Sequence, residues 1–232
     1  MAGVTLDEFL KPFSVALGRC EPAEEIEGIN TQDSVQFIVA RSQTPEQIVA
    51  TFIEEAAKIG VQVHACSEDT LASTIALTVK ELDPNNKTVL FASTEEANSC
   101  DLVNAFKQQG LEPVAWDPSK GREAIQEAAT YDAGVTFAYG AIAETGSLVQ
   151  CTSKESGRSV CTIPSCHVGV VRRSKVYARM GQALDAIKEE YQGAMPSNIS
   201  VISGPSATAD IELVRVVGVH GPVHTAIVMI ED

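Results

Sequence analysis

Basic residues are scarce in this chain: 17 Lys and Arg stand against 31 Asp and Glu, giving a formal charge of -14 over 232 residues. Phosphate backbones and anionic lipid both require clustered cations, so nucleic acid and membrane surface are excluded as partners over most of the surface. Long apolar runs are missing too. No stretch approaches the roughly 20 residues of a transmembrane helix. The N-terminus, Met1-Ala2-Gly3-Val4-Thr5-Leu6-Asp7-Glu8, lacks the basic-then-apolar order of a signal peptide. No membrane span and a cytoplasmic location are expected. The six cysteines (Cys20, Cys66, Cys100, Cys151, Cys161, Cys166) contain no C-x-x-C pair and are too dispersed for a disulfide scaffold, so reduced thiols are expected. There is no G-x-G-x-x-G after the first strand, no P-loop and no G-x-S-x-G elbow. Nicotinamide, nucleotide-hydrolysis and α/β-hydrolase chemistry lose their usual support.

What is present is ordinary globular composition, 44% apolar and 21% charged, in a chain long enough to bury roughly 70% of its unfolded surface. Leu6, Leu10, Phe13 and Leu17 repeat at helical spacing, so residues 1–32 read as an N-terminal helical arm with a Gly/Glu/Pro-rich tail. Such an arm suits packing on a neighbour, a second copy of the chain included. Residues 33–232 read as one α/β domain. A short strand is expected over Val35 to Val39, then a helix opened by Thr44-Pro45-Glu46-Gln47 with a hydroxyl cap and Pro in its first turn.

From Val61 the pattern alternates. Strands are predicted at 61–65, 88–92, 114–116 and 134–138, with helices at 71–82, 97–109 and 122–129 between them. This rhythm implies crossover connections and an open, mainly parallel sheet with helices on both faces. Beyond Ala138 strands are expected at 148–151 and 168–171, a helix at 175–191, an interior strand at 199–202 and a last strand at 225–230.

Four segments carry candidate chemistry. Ser203-Gly204-Pro205-Ser206-Ala207-Thr208 follows a predicted strand, where open α/β sheets place ligands. Gly204 permits close approach, Ser203, Ser206 and Thr208 supply hydroxyls, and a following helical turn would add N–H groups. The bland alternative is a turn whose hydroxyls cap a helix from Ala209 to Val214. Glu144-Thr145-Gly146-Ser147 places a carboxylate beside a Gly turn, suited to a general base or nucleophile or equally to a solvated turn. His220-Gly221-Pro222 offers an imidazole in a second Gly-Pro loop, or a hydrogen-bonded structural histidine. Cys161-Thr162-Ile163-Pro164-Ser165-Cys166-His167 has metal-ligand residue types. Only three ligands are present, however, and alternation sends Cys166 and His167 to opposite faces of a strand. Buried thiols in a strand, with no metal and no cofactor, are expected. The basic run Arg172-Arg173-Ser174-Lys175 reads as a solvated strand-to-helix turn that would still suit an acidic substrate.

Ala143-Glu144-Thr145-Gly146-Ser147-Leu148, then Cys166-His167-Val168, then Ile202 to Glu212 and Gly218-Val219-His220-Gly221-Pro222 recur in that order in one family. On these runs the chain resembles the LUD-domain family, the lactate utilization protein C group, over roughly residues 133–230. The resemblance implies the fold shared by sugar-phosphate isomerases and coenzyme A transferases. It also implies a part in oxidising L-lactate to pyruvate beside iron–sulfur companion proteins. Glu144 would be the catalytic group. A small carboxylate, phosphate or coenzyme A-like anion would be held by Thr145, Gly146, Ser147, His167, Ser203, Gly204, Ser206, Thr208, Asp210, His220 and Gly221. Two rivals are kept: a self-sufficient transferase or isomerase acting on a coenzyme A ester or sugar phosphate with Glu144 as nucleophile or base, and a purely structural subunit.

Overall fold

The computed structural model describes residues 5–19, 43–209 and 215–232, and the chain divides into two units, residues 1–39 and 40–232. In the first unit, α1 (Leu6–Ala16) begins with a capping box in which Thr5 Oγ1 accepts from Glu8 N–H and the Glu8 carboxylate accepts from Thr5 N–H. The strand expected over Val35 to Val39 lies outside the described residues.

The second unit opens with α2 (Pro45–Lys58), capped reciprocally by Thr44 and Gln47 as its sequence predicts. There follow β1 (Gln62–Cys66), α3 (Leu71–Leu82), β2 (Thr88–Phe91), α4 (Glu95–Ser99), α5 (Leu102–Gln108), β3 (Glu112–Ala115), α6 (Arg122–Ala128) and β4 (Ala133–Phe137). Then come β5 (Gly140–Ile142), β6 (Ser147–Cys151), α7 (Arg158–Thr162), β7 (Cys166–Arg172), β8 (Val176–Tyr177), α8 (Met180–Glu190), β9 (Ile199–Ile202), β10 (Ala207–Ala209), β11 (Arg215–Val217) and β12 (His224–Ile230).

Six strands pair in parallel in the order β1-β12-β7-β4-β2-β3. The chain starts at one edge, builds the opposite edge with β2 and β3, and returns inward through β4, β7 and β12. Both faces are covered, as the near-continuous apolar runs of β7 and β12 require. On one face Val168, Val170 and Val228 meet Leu71, Ile75, Val79 and Phe106. On the other, Val171, Ile227 and Met229 meet Phe52 and Ala56 of α2 together with Leu148 of β6.

Several expectations are corrected. Among the described residues there are two principal sheets, not one: β8, β5, β6 and β9 form a second, four-stranded sheet, with α8 packed on it through Ala183 and Ile187. Ile199–Ile202 is its outer strand, antiparallel to β6, and not an interior strand of the parallel sheet. A strand carrying Ser200 and an exposed Val201 suits an edge, because an interior parallel strand must be apolar on both faces. The helix expected from Ala97 to Gln109 is broken at Cys100, whose ψ of 143° is extended. Thr94 caps the first piece, accepting from Ala97 N–H. The helix expected from Lys175 begins only at Met180, because Val176 and Tyr177 pair with β5 first. Finally, the Gly-Pro turn leads into β10, which pairs antiparallel with β11, and not into a helical turn.

Candidate functional site

The β5–β6 turn and the β9 turn meet over the first residues of β7 and β12. Gly146 adopts φ 61°, and a Cβ there would lie 2.3 Å from the backbone nitrogen of Ala56, so only glycine lets the turn approach α2. Gly204, at φ 75°, makes the same kind of approach to Ile59, whose carbonyl oxygen would be 2.9 Å from a Cβ. The fully buried Ser147 shares a 2.6 Å hydrogen bond with Ser203 and donates to Thr145 Oγ1 at 2.7 Å. Beside them His167 is 1% exposed, and its Nε2 shares a 2.9 Å hydrogen bond with Thr136. Among the described residues its Nδ1 has no partner, nor does the hydroxyl of Thr225, its register neighbour on β12. Burial lowers the His167 pKa to about 4, so the ring is neutral. Gly146, His167, Gly204 and Thr225 line a space of only about 10 Å³, the size of one water.

His220 and Gly221 line a different cavity, of about 540 Å³, between the segments that lead into β4, β7 and β12. It lies at the amino ends of the parallel strands. The Gly-Pro turn stands on this side as well, because the strand preceding it belongs to the second sheet. The placement at the carboxyl end of the parallel sheet is thereby corrected. Ser206 joins the two loops through its backbone: its N–H donates to Pro222 O, and its carbonyl accepts from Gly218 N–H, both at 2.8 Å. Asp132, also on this wall, accepts from the backbone N–H groups of Lys87 and Thr88 and from the Thr88 hydroxyl at 2.8–2.9 Å. Burial pushes its pKa up, but those three donors outweigh burial and leave it lowered. With a fixed carboxylate and no Lys or Arg among the described residues of its wall, this cavity is a poor seat for an anion.

Glu144 lines neither space. Its carboxylate is engaged by Arg179 Nη2 at 2.8 Å and by Met180 N–H at 3.2 Å, at the start of α8. Thr208 is an exposed residue of β10, and Asp210 lies outside the described residues. The residues picked from sequence are therefore distributed: Gly146, Ser147, His167, Ser203 and Gly204 gather between the sheets, His220 and Gly221 border the amino-end cavity, and Glu144 serves α8. Cys161 and Cys166 are buried, but Cys161 sits in α7 and not in a strand. Burial raises both thiols, Cys161 to about 11.

At the opposite, carboxyl ends of β4, β7 and β12 a cavity of about 190 Å³ opens. Of its residues, sequence reasoning singled out only Arg172 and Lys175, as part of a basic run that would suit an acidic substrate. Phe137, Val170 and Ile230 give it apolar surface, while Tyr139, Arg172, Lys175, Glu190 and Glu96 give it polar surface. The signal was the run Arg172 to Lys175, which is tied down on every side chain. Arg172 meets Glu68 at 2.6 Å, Arg173 meets Glu231 at 3.1 Å, and Ser174 Oγ donates to Asp232 at 2.6 Å. The Lys175 ammonium lies 3.2 Å from Glu190 and 5.0 Å from the centre of the Tyr139 ring. Tyr139 donates its O–H to Glu190 at 3.0 Å. Burial, then that carboxylate, raises the Tyr139 pKa, so it stays a phenol.

An all-parallel sheet covered on both faces, beside a smaller mixed sheet, defines an α/β protein with a cavity at each end of its parallel strands. The LUD domain family model matches residues 49–230. The chain belongs to the LUD-domain family. It is 31% identical to Lactate utilization protein C 1 of Bacillus mycoides over 100% of this chain and 99% of that protein. It is 39% identical to Lactate utilization protein C of Bacillus subtilis over 56% of this chain and 55% of that one. A crystal structure of a DUF162 family protein from Deinococcus radiodurans shares the fold, with a TM-score of 0.58 and 18% identity over 81% of this chain and 99% of that one. Among the described residues no helix is long and apolar enough to cross a membrane.

Proposed function

We propose that this chain serves lactate utilisation, supporting the oxidation of L-lactate to pyruvate beside iron–sulfur partner proteins and holding a small anion in a cleft of its α/β unit. The observation that carries the reading is the end-to-end similarity to Lactate utilization protein C 1, which leaves no large part of either chain unmatched. The acidic surface is consistent with a protein partner or small ligand and repels polyanions. The transferase alternative has less in its favour, because the Glu144 carboxylate that it needs is already engaged by Arg179 and Met180 N–H.

The test is genetic. A host deleted for this chain, with no second copy of the gene, should grow poorly on L-lactate and normally on glucose. Unimpaired growth on L-lactate would remove the reading.

A further inference from the structure

We propose that the cavity at the carboxyl ends of β4, β7 and β12 binds a small 2-hydroxy or 2-oxo monocarboxylate, received by Arg172 and Lys175. The choice of acid rests on the proposed role in lactate utilisation; the site itself rests on geometry. Loops at the carboxyl ends of parallel strands are where open α/β sheets leave a crevice. Here the crevice brings together cations, hydrogen-bonding groups and apolar surface in about 190 Å³. At about 10–15 Å³ of such space per water, that volume has room for a three-carbon acid and several waters.

Each part of such an acid has a counterpart. The carboxylate suits Arg172, whose guanidinium carries several donors beyond the Nη1 that faces Glu68 at 2.6 Å and Asp232 at 3.8 Å. Lys175 supplies the second cation. Its present pairing with Glu190 is a surface contact between half-exposed groups, 41% and 55% exposed, and pairs of this kind are weak enough to exchange for a ligand carboxylate. Glu190 then accepts the hydroxyl of a 2-hydroxy acid, and Tyr139 turns its one O–H from Glu190 to the oxygen of a 2-oxo acid. Phe137, Val170 and Ile230 receive the methyl group. Glu96 on the wall repels a second carboxylate, so dicarboxylates are disfavoured.

The experiment is calorimetric titration of the purified chain with L-lactate, pyruvate and L-malate, alongside thermal shift. The parent should bind L-lactate and pyruvate saturably and L-malate more weakly. Lys175→Met and Arg172→Gln, folded by circular dichroism, should each weaken binding by about tenfold or more. Tyr139→Phe should weaken pyruvate more than L-lactate, and Lys58→Met, at the exposed end of α2 and outside this cavity, should bind as the parent does. Lys175→Met lies on the surface and is expected to fold even if Arg172→Gln does not. No saturable binding of either acid, parental affinity in Lys175→Met, or L-malate binding as tightly as L-lactate would each overturn the site. The two readings fail separately. A deletion strain impaired on L-lactate whose protein binds neither acid sinks the site alone, and a protein that binds them in a host whose growth is unimpaired sinks the role alone.

Discussion

His167 shows how a single buried side chain sets a property of the whole chain. Its folded pKa, about 4, lies below the ordinary histidine value of 6.5. The unfolded chain therefore takes up a proton that the folded chain refuses. Stability is complete above about pH 6.5 and is lost as pH falls towards 4, by up to roughly 3 kcal/mol at about 1.36 kcal/mol per pKa unit. Urea midpoints measured from pH 7 to 4 should fall in the parent and flatten in His167→Gln. Equal slopes would show that the ring does not titrate as its burial requires. Asp132 acts below that window, since its lowered pKa places its loss of stability at still lower pH. Removing its carboxylate strands the N–H groups of Lys87 and Thr88, so Asp132→Ala should cost about 2–3 kcal/mol in chemical unfolding.

Elements differ in how plainly the sequence announces them. Helix α3 falls on Leu71–Leu82 as its Leu71, Ile75 and Val79 spacing predicts, and α2 begins where its capping box places it. Strand β5 does not announce itself, because Gly140-Ala141-Ile142 is three residues of mixed propensity whose strand character comes from pairing with β6 and β8. The break between α4 and α5 is hidden because the apolar pattern of Ala97, Leu102 and Phe106 runs through it. The glycine turn before β6 is the element whose sequence matters most. Gly146→Ala would combine a left-handed φ with a Cβ driven into the backbone of α2. A loss of about 2–4 kcal/mol is expected from strain and overpacking together, read as a lowered urea midpoint. An unchanged midpoint would mean the turn relaxes without cost.

At the scale of the whole molecule, topology decides where ligand chemistry collects. The parallel, helix-covered sheet was legible from the alternation of periodic segments, but its division into two sheets was not, since strand partners are fixed by long-range pairing. Strands β4, β7 and β12 are separated in sequence and adjacent in space, so Tyr139, Lys175 and Glu190 become neighbours only on folding. Taken alone, Arg172 to Lys175 looks like a solvated turn; folded, it borders a cavity. The hydroxyl-rich Gly-Pro turn drew attention because hydroxyls and glycine suggest an anion. Its Ser203 instead joins Ser147 across the second sheet, and its Gly204 is needed to pass α2.

Complementation ties the cavity to the role most directly. A strain lacking this chain is supplied with the parent, Lys175→Met or Lys58→Met at equal protein levels, and growth rate is measured with L-lactate as sole carbon source. The parent and Lys58→Met should restore growth while Lys175→Met fails; full restoration by Lys175→Met, or normal growth with no copy supplied, would contradict the account.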